Sequence, residues 1–225
     1  MAINKEKYKE IIDKIAGKVT LVAVSKTKPP EDIQELYDLG QRDFGENYVQ
    51  ELVDKQLQLP AAIHWHFIGH LQSNKVKQIA PFVYLIHGVD SFKLLKEINR
   101  QAAKANRIID VLLQVYIAKE ETKFGLDEKE LDEIFNAGND ELATLNNTCI
   151  KGLMGMASFT NDTDIIKKEF QYLKFLFDKY AQFHLPNSQF RFLSMGMSSD
   201  YPIAIEHGSN MIRIGSLLFG ERTKN

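Results

Sequence analysis

The sequence predicts an α/β protein, and more narrowly a (β/α)8 barrel (TIM barrel) with an extra helix at its N-terminus. Apolar patterns of helical and of strand periodicity alternate along the 225 residues, with short connections between them. Eight segments have strand character and seven of them are followed by helices, a count that closes naturally into such a barrel. A doubly wound open sheet is the alternative that counting elements leaves open.

The elements follow from local patterns in chain order. Tyr8, Ile11 and Ile15 have helical spacing ahead of Gly17, so the chain opens with an amphipathic helix. Apolar runs predict the strands, which are Val19–Val24, Asp43–Gly45, Ile63–Ile68, Phe82–His87, Ile108–Ile117, Ile150–Met154, Phe190–Leu193 and Met211–Ile214. Helical spacing predicts the intervening helices, which are Pro30–Gly40, one carrying Val49–Val53, Asn74–Ala80, Ser91–Ala105, one or two within Asp127–Asn146, Thr163–Phe183 and Pro202–Glu206. Parallel pairing with right-handed crossovers is the expected consequence.

Composition narrows the class of protein. The net charge of −2 provides no bulk attraction for nucleic acid or an anionic membrane, so neither is an expected partner. The single cysteine, Cys149, excludes an internal disulfide and fits a reducing compartment. No apolar run approaches the ~20 residues that span a bilayer, and the N-terminus lacks the apolar core of a signal peptide. We expect a soluble, cytoplasmic protein in which residues 1–225 form one domain, because no Gly/Ser-rich or Pro-rich linker divides the chain.

A lysine stands at the carboxyl end of the first buried strand. Val19–Val24 is followed by Ser25 and Lys26, and α/β folds place their chemistry at the carboxyl ends of strands. A lysine amine becomes a nucleophile once its surroundings lower its pKa from ~10.4. Taken alone, a lysine there more often extends to solvent along its apolar stem.

Two further strand ends carry polar groups. Asn47 follows the second strand in FGEN and offers both donors and an acceptor, although a helix-start residue is an equally good interpretation. His64 and His66 share one face of the third strand, as in some barrel metallohydrolases. Such a metal site needs further ligands. His70 and His87 form no recognisable second half, so a buried, hydrogen-bonded histidine is favoured over a metal ligand.

The last two loops look like an anion site. In LSMGMSSDYPIAIEHG, Gly196 and several serines precede a short helix with Pro202 in its first turn. In MIRIGSLLFGER, an apolar strand carries Arg213, which must face an acceptor if buried, and then Gly215 and Ser216. The loops after strands seven and eight of TIM barrels frequently bind phosphate. A reactive lysine together with a phosphate site suggests a phosphorylated aldehyde held as a Schiff base, a description that pyridoxal 5′-phosphate fits.

Several long motifs in fixed order closely resemble those of one family. They are LVAVSKTKPPEDI, FGENYVQEL, HFIGHLQSNK, LSMGMSSDYPIAIEHGS and MIRIGSLLFGER, and they span about Val19 to Arg222. The chain thereby resembles the pyridoxal phosphate homeostasis proteins, the YggS/PROSC family, which is related to the N-terminal barrel domain of alanine racemase. Tyr116 and Ala118 depart from the family pattern, which has Asn and Ser there.

The resemblance implies a TIM barrel with pyridoxal 5′-phosphate attached to Lys26 as a Schiff base. It implies that Arg213 of the RIG motif faces the pyridine nitrogen and that Asn47 lies beside the cofactor. It also implies a phosphate site in the last two loops. The remaining cofactor-binding residues expected there are Ser194, Met195, Ser198, Gly215 and Ser216.

A cationic arginine beside the pyridine nitrogen disfavours protonation of that nitrogen and weakens the ring as an electron sink. A racemase also needs an acid/base group on each face of its substrate. In alanine racemases one such group comes from a second domain and a partner subunit, and this sequence ends at Asn225 just past its last barrel element. We therefore expect a monomeric protein without robust catalysis that stores or delivers pyridoxal phosphate to recipient apoenzymes in vitamin B6 homeostasis. A weak or specialised amino-acid racemase or lyase is the alternative, and a metal-dependent hydrolase using His64 and His66 is the third interpretation.

Overall fold

The eight predicted strands form a closed parallel barrel in the order β1 to β8. The computed structural model describes residues 3–118, 124–135, 140–183 and 185–220. The strands are β1 Thr20–Val24, β2 Asp43–Glu46, β3 His64–Phe67, β4 Leu85–Val89, β5 Ile109–Gln114, β6 Thr148–Met154, β7 Ser188–Ser194 and β8 Met211–Ile214. Closure requires β1 to pair with β8, and it does so through Thr20–Ala23 and Met211–Ile214. The predicted (β/α)8 barrel is confirmed, and the open sheet is excluded because an open sheet has two unpaired edges.

Helices surround this barrel in the alternation that the sequence predicts. They are α1 Lys5–Ile15, α2 Pro30–Asp38, α3 Val49–Gln58, α4 Val76–Ile79, α5 Phe92–Lys104, α6 Glu128–Phe135, α7 Asp140–Ala143, α8 Thr163–Tyr180, α9 Tyr201–Glu206 and α10 Ser216–Phe219. The short α10 means that the last strand is also followed by a helix, which the sequence patterns did not predict. No helix within the described ranges is long and apolar enough to cross a membrane.

The extra N-terminal helix, α1, is joined to α10, the last helix of the described residues. Asn4 caps α1 by accepting a hydrogen bond from Lys7 N at 2.9 Å, and its own N–H donates to the Leu218 carbonyl at 2.8 Å. The apolar face of α1 buries Tyr8, Ile11 and Ile15, and each such side chain contributes about 1.5–3 kcal/mol by leaving water. The helix therefore belongs to the packed structure of the barrel.

The core has two layers. The larger layer lies between strands and helices and joins residues from every part of the described chain, such as Phe44, Phe170 and Leu218. A small separate cluster consists of Val22, Leu85, Leu112, Met154 and Met211, one residue each from five strands. Residues that alternate along a barrel strand point inward and outward, so this smaller cluster fills part of the barrel interior.

Most predicted element bounds shift by one to three residues in the structure, and the clearest changes are in the fourth strand and in the helix that follows the third strand. The fourth strand covers Leu85–Val89 instead of Phe82–His87, and the predicted helix Asn74–Ala80 divides into a 3₁₀ turn, Ser73–Lys75, followed by α4. The run from Phe82 to Val89 is apolar without alternation, so periodicity cannot place its ends. Pairing with β3 and β5 decides them instead, since Leu85 and Ile86 pair with strands on both sides.

Candidate functional site

A cavity of about 620 Å³ opens among the loops that follow the barrel strands. Six of the eight residues predicted for the site line it, and they are Lys26, Asn47, Ser198, Arg213, Gly215 and Ser216. The charged groups among its described lining are the cations Lys26, Lys28 and Arg213, with no carboxylate. The cavity therefore offers a cationic environment, which favours an anionic ligand.

Strand order explains why these residues meet. β1 pairs with β2 on one side and with β8 on the other, and Val22 lies directly opposite Arg213. Lys26 follows β1 and Asn47 follows β2, so the two side chains leave neighbouring strands at the same end of the barrel. The topology thus brings Lys26 and Arg213 together although they are 187 positions apart, because Lys26 follows β1 and Arg213 lies on β8, and these two strands pair to close the barrel.

Asn47 lines the cavity and carries an acceptor whose hydrogen bonding the described residues do not satisfy. Its Oδ1 is buried and has no hydrogen-bond partner among the described residues. The backbone at this point is held close to the next strand end, since a Cβ on Gly69 would lie 2.3 Å from the Asn47 carbonyl oxygen. A buried acceptor without a partner costs free energy unless a ligand or water supplies the donor, so Asn47 is suited to receive a ligand O–H or N–H.

Arg213 is almost fully buried, at 4% exposed, and three hydrogen bonds hold its guanidinium in place. Its Nη1 donates to the Ser194 carbonyl at 2.9 Å and to Ser194 Oγ at 2.6 Å, and its Nη2 donates to the Gly155 carbonyl at 3.0 Å. Burial lowers the pKa of the guanidinium to about 10, against the opposing charge of Asp200. At neutral pH the group stays protonated and acts as a fixed donor.

A chain of hydrogen bonds continues from Arg213 through the barrel interior. Ser194 Oγ lies 3.2 Å from His87 Nδ1, His87 Nε2 lies 2.9 Å from His66 Nδ1, and His66 Nε2 lies 2.9 Å from Asp43 Oδ1. Asp43 opens β2 whereas Ser194 ends β7, so the chain runs between opposite ends of the barrel. We refer to Ser194, His87, His66 and Asp43 as the interior chain.

Burial lowers the pKa of both His66 and His87, which keeps the two rings neutral. Burial raises the pKa of Asp43, but its hydrogen bonds and attraction to His66 and His64 outweigh this, and the net shift is downward. An ionised Asp43 only accepts, so each neutral ring donates from Nε2 and accepts at Nδ1, and Ser194 O–H donates to His87. Each hydrogen bond of the interior chain then has the same direction, with the donors on the Ser194 side and the acceptors on the Asp43 side.

Ser194 and Met195 do not line the cavity. Both are fully buried below it, and the Ser194 hydroxyl is engaged by Arg213 and His87. The structure therefore separates these two residues from the six that surround the cavity. We accordingly leave them out of the phosphate site proposed below.

The loops after β7 and β8 are tied to each other at the cavity. Gly215 N donates to Ser198 Oγ at 3.3 Å. Lys28 Nζ donates to the Phe219 carbonyl at 2.7 Å and so connects the loop after β1 to the end of α10. Gly196 has a φ of +96°, and a Cβ there would lie 2.6 Å from the Ala204 Cβ, so only glycine allows this close approach.

The histidines of the third strand show no metal site. His66 uses both ring nitrogens in the interior chain, and His64 Nδ1 lies 3.2 Å from the same Asp43 oxygen. No group of three or more His, Cys, Asp or Glu side chains within the described ranges is arranged to hold a metal ion. The interpretation of a buried, hydrogen-bonded histidine is confirmed for His66, which has no exposed surface.

Several lining residues escaped the sequence reasoning. Lys28, Met156 and Phe159 line the cavity, and Phe159 is 93% exposed at its rim. Met156 and Phe159 also line an adjoining cavity of about 440 Å³. Of these, only Lys28 had a signal in the sequence, because it stands two positions after Lys26 on the same loop. Tyr116 and Ala118, which depart from the family pattern, are not among the lining residues.

The closed barrel with a cationic cavity at the carboxyl ends of its strands is the framework on which the comparisons with known proteins agree. The sequence model of the alanine racemase N-terminal domain matches residues 4–223. A relative from Aquifex aeolicus, named pyridoxal phosphate homeostasis protein, is 41% identical over 203 residues, which are 90% of this chain and 86% of the relative. The Homo sapiens protein of the same name is 40% identical over 213 residues, covering 90% and 76% of the two chains. The chain belongs to the pyridoxal phosphate homeostasis protein family.

Solved structures agree with this assignment. PipY of Synechococcus elongatus PCC7942, determined with pyridoxal phosphate bound, has a TM-score of 0.86 and 35% identity, and the match covers 96% of this chain and 99% of PipY. Alanine racemase of Bartonella henselae matches with a TM-score of 0.72 and 17% identity over 97% of this chain and 60% of the racemase. At that identity the racemase shares the fold alone.

Proposed function

We propose that this protein binds pyridoxal 5′-phosphate, holds it covalently as a Schiff base at Lys26, and stores or delivers it in vitamin B6 homeostasis without robust catalysis. The observation that carries the proposal is the single cavity that brings together Lys26, Asn47, Ser198, Arg213 and the Gly215–Ser216 pair. The names of the relatives and the pyridoxal phosphate bound to PipY support it. The recipients we expect are apoenzymes that use the same cofactor.

The residues present fit the cofactor. Its phosphate requires several donors, and the hydroxyls of Ser198 and Ser216 and the N–H of Ser216 supply them in the loops after β7 and β8, where the Gly215 N–H holds Ser198 Oγ in place. The cationic lining favours the phosphate charge. Asn47 Oδ1, which has no partner among the described residues, is the acceptor for a ring substituent. Hydrogen bonds to a charged partner contribute about 1.5–3 kcal/mol each, so the phosphate is expected to carry much of the affinity.

When bound, pyridoxal phosphate supplies an aldehyde for attachment and a pyridine ring that can accept electrons. Lys26 is the residue that would hold the group covalently, because a lysine amine can condense with an aldehyde to a carbon–nitrogen double bond with release of water. Arg213 orients the ring by donating towards its nitrogen. Since the guanidinium keeps its own protons at neutral pH, it leaves the ring nitrogen unprotonated and the ring a weak electron sink.

The experiment that tests attachment is borohydride reduction of the protein loaded with pyridoxal phosphate, followed by peptide mass mapping. We expect the reduced adduct on Lys26, and we expect Lys26→Ala to lose the adduct while retaining weak, phosphate-dependent binding. Lys18→Ala, which changes an exposed lysine outside the cavity, is the matched control. Recovery of the adduct on another lysine, or on none, contradicts the proposal.

A separate measurement distinguishes a carrier from the alternative amino-acid racemase. The loaded wild-type protein is incubated with common amino acids in deuterated water, and exchange of the α-proton is followed by mass spectrometry. We expect negligible exchange together with measurable transfer of cofactor to an apoenzyme. Sustained exchange at rates typical of enzymes, on the order of 1–1000 per second, would favour the racemase.

A further inference from the structure

A buried ion cluster lies beside the loop that carries Lys26. Lys55 Nζ is 2.8 Å from Glu46 Oε1 and 2.6 Å from Glu51 Oε1. The side chains of Lys55 and Glu46 are 5% and 0% exposed, whereas Glu51 is 22% exposed. None of the three residues lines the cavity, and the function proposed above does not use them.

This cluster holds the peptide groups on both sides of Lys26. Lys55 Nζ donates to the Ser25 carbonyl at 2.8 Å, and that carbonyl belongs to the peptide joining Ser25 to Lys26. Thr27 N donates to Glu51 Oε1 at 2.5 Å, and that N–H belongs to the peptide joining Lys26 to Thr27. One ion pair, Lys55 with Glu51, therefore contacts the main chain immediately before and immediately after Lys26.

The segment held in this way is a strained turn. Lys28 N donates to the Ser25 carbonyl at 3.0 Å, which closes a turn with Lys26 and Thr27 at its centre. Thr27 has a φ of +64°, a backbone conformation that is rare for a β-branched residue and that turns of this kind normally assign to glycine. Such strain persists only where the surroundings over-determine it, and the hydrogen bond from Thr27 to Glu51 is the contact that does so here.

A third contact completes the support. Ser25 Oγ donates to Glu46 Oε1 at 2.6 Å, the same oxygen that receives Lys55. Glu46 ends β2 and Lys55 and Glu51 lie on α3, so the end of β1 is tied to the next strand and the next helix. The direction in which Lys26 leaves the barrel wall is set by these two elements.

We propose that Lys55 and Glu51 are positioning residues for Lys26, which grip both flanking peptides so that its amine meets the aldehyde of the cofactor. The inference rests on the proposed attachment at Lys26. A small misplacement of a reacting group costs up to 100-fold in efficiency, so loss of this grip weakens covalent attachment more than it weakens noncovalent binding. A purely structural role for the cluster would alter both equally or neither.

The test compares two titrations of each variant. Pyridoxal 5′-phosphate is followed by the visible absorbance of the attached form, and pyridoxine 5′-phosphate, which has an alcohol in place of the aldehyde, measures noncovalent binding alone. For Glu51→Ala we expect the apparent affinity for the aldehyde to fall roughly 10- to 100-fold, with the affinity for the alcohol within about twofold of wild type. Glu51→Gln keeps an acceptor for Thr27 N and is expected to retain most of the attachment.

A second, independent test removes the backbone strain at Thr27. Glycine adopts a positive φ without support, so adding Thr27→Gly to Glu51→Ala is expected to restore part of the lost attachment. Gln50→Ala, an exposed truncation on the same helix, is the matched control and is expected to behave as wild type. Glu51→Leu replaces Glu51→Ala should the latter not fold.

The outcomes separate the two proposals. If wild type attaches the cofactor at Lys26 and Glu51→Ala shows the same ratio of the two affinities, the positioning role is overturned while the proposed function stands. A parallel loss of both affinities also overturns it and leaves the cluster a structural tie. If wild type forms no borohydride-fixed adduct at Lys26, the proposed function fails first, and the positioning role with it.

Discussion

Two of the three cations that line the cavity, Lys26 and Arg213, are held in place by supports of opposite character. Beside Lys26 lies the charged cluster of Lys55, Glu46 and Glu51, which contacts the peptide groups flanking the lysine. Behind Arg213 lies the interior chain of Ser194, His87, His66 and Asp43, whose two histidines are neutral. One support acts on the main chain and the other acts on the guanidinium itself.

The difference corresponds to what each cation is proposed to do. A group that forms a covalent bond must have its backbone fixed while its side chain reaches the ligand, and main-chain contacts achieve this. A group that orients a ring must have its own atoms fixed, and three hydrogen bonds on the Arg213 guanidinium achieve that. Preorganisation of a site depends on such supporting contacts as much as on the residues that touch the ligand.

The largest loss of stability is expected when the charged cluster of Lys55, Glu46 and Glu51 is disrupted. Lys55→Met leaves Glu46 buried without its cation, and removal of one partner of a buried ion pair typically costs about 3–5 kcal/mol of unfolding free energy. We expect urea denaturation to show a loss of this size, and the further change Glu46→Leu to recover a large part of it. Lys77→Met, at an exposed position on α4, is the control with little expected effect. A similar, small loss in both lysine variants would show that the cluster is not a charged support.

The second prediction contrasts the two supports by pH. Burial raises the pKa of Glu46 to about 7, against the attraction of Lys55 and the hydrogen bonds from Lys55 and Ser25. A carboxyl whose folded pKa lies above its unfolded value stabilises the fold most below pH 4.5, and this contribution is lost as the pH rises through about 7. We expect this loss to reach at most about 3 kcal/mol and to disappear in Glu46→Gln, as measured by denaturation across that range.

The interior chain contributes a pH dependence of folding stability that has the opposite sign. Burial holds the pKa of His87 well below 6.5, and the charge of Arg213, together with repulsion between His87 and His66 when both are protonated, acts in the same direction. Because the unfolded state takes up protons first, this contribution is present above pH 6.5 and is lost as the pH falls below it. His87→Leu is therefore expected to flatten the acid side of the stability profile, whereas Glu46→Gln flattens the side between pH 4.5 and 7. Identical profiles for the two variants would contradict the contrast.

The smallest expected effect weakens the interior chain at its junction with Arg213. Ser194→Ala removes one of the two acceptors of Arg213 Nη1 and the donor for His87 Nδ1, and leaves that ring nitrogen unpaired. We expect a loss of about 1–2 kcal/mol in unfolding free energy, together with weaker binding of pyridoxine 5′-phosphate, which needs no attachment. Ser188→Ala on the same strand is the control. A loss of phosphate-dependent affinity far larger than the loss in stability would instead favour direct contact between Ser194 and the phosphate.

Local sequence patterns were enough to predict the alternation of strands and helices, the number of strands and the position of each chemical group near a strand end. The bounds of β8, Met211–Ile214, agree with the structure, because an apolar run that ends at glycine marks its own limits. Lys26, Asn47 and Arg213 could be predicted as site residues because each is a polar side chain within or directly after an apolar strand. The structure brings all three to one cavity. The bounds of β4 could not be predicted, because its largely apolar run begins at Phe82, three residues before the strand, and contains His87 and Gly88 before it ends at Val89.

The contacts that support Lys26 and Arg213 could not be predicted from the sequence, because they form between distant segments. Lys55 meets the Ser25 carbonyl across 30 positions, and Ser194 meets His87 across 107. These partners lie on strands and helices that become neighbours when the barrel closes, and no local pattern encodes which side chains then face each other. Whether a serine hydroxyl serves a phosphate or an arginine depends on which side of the barrel wall it faces, and that is settled by the register of eight strands together.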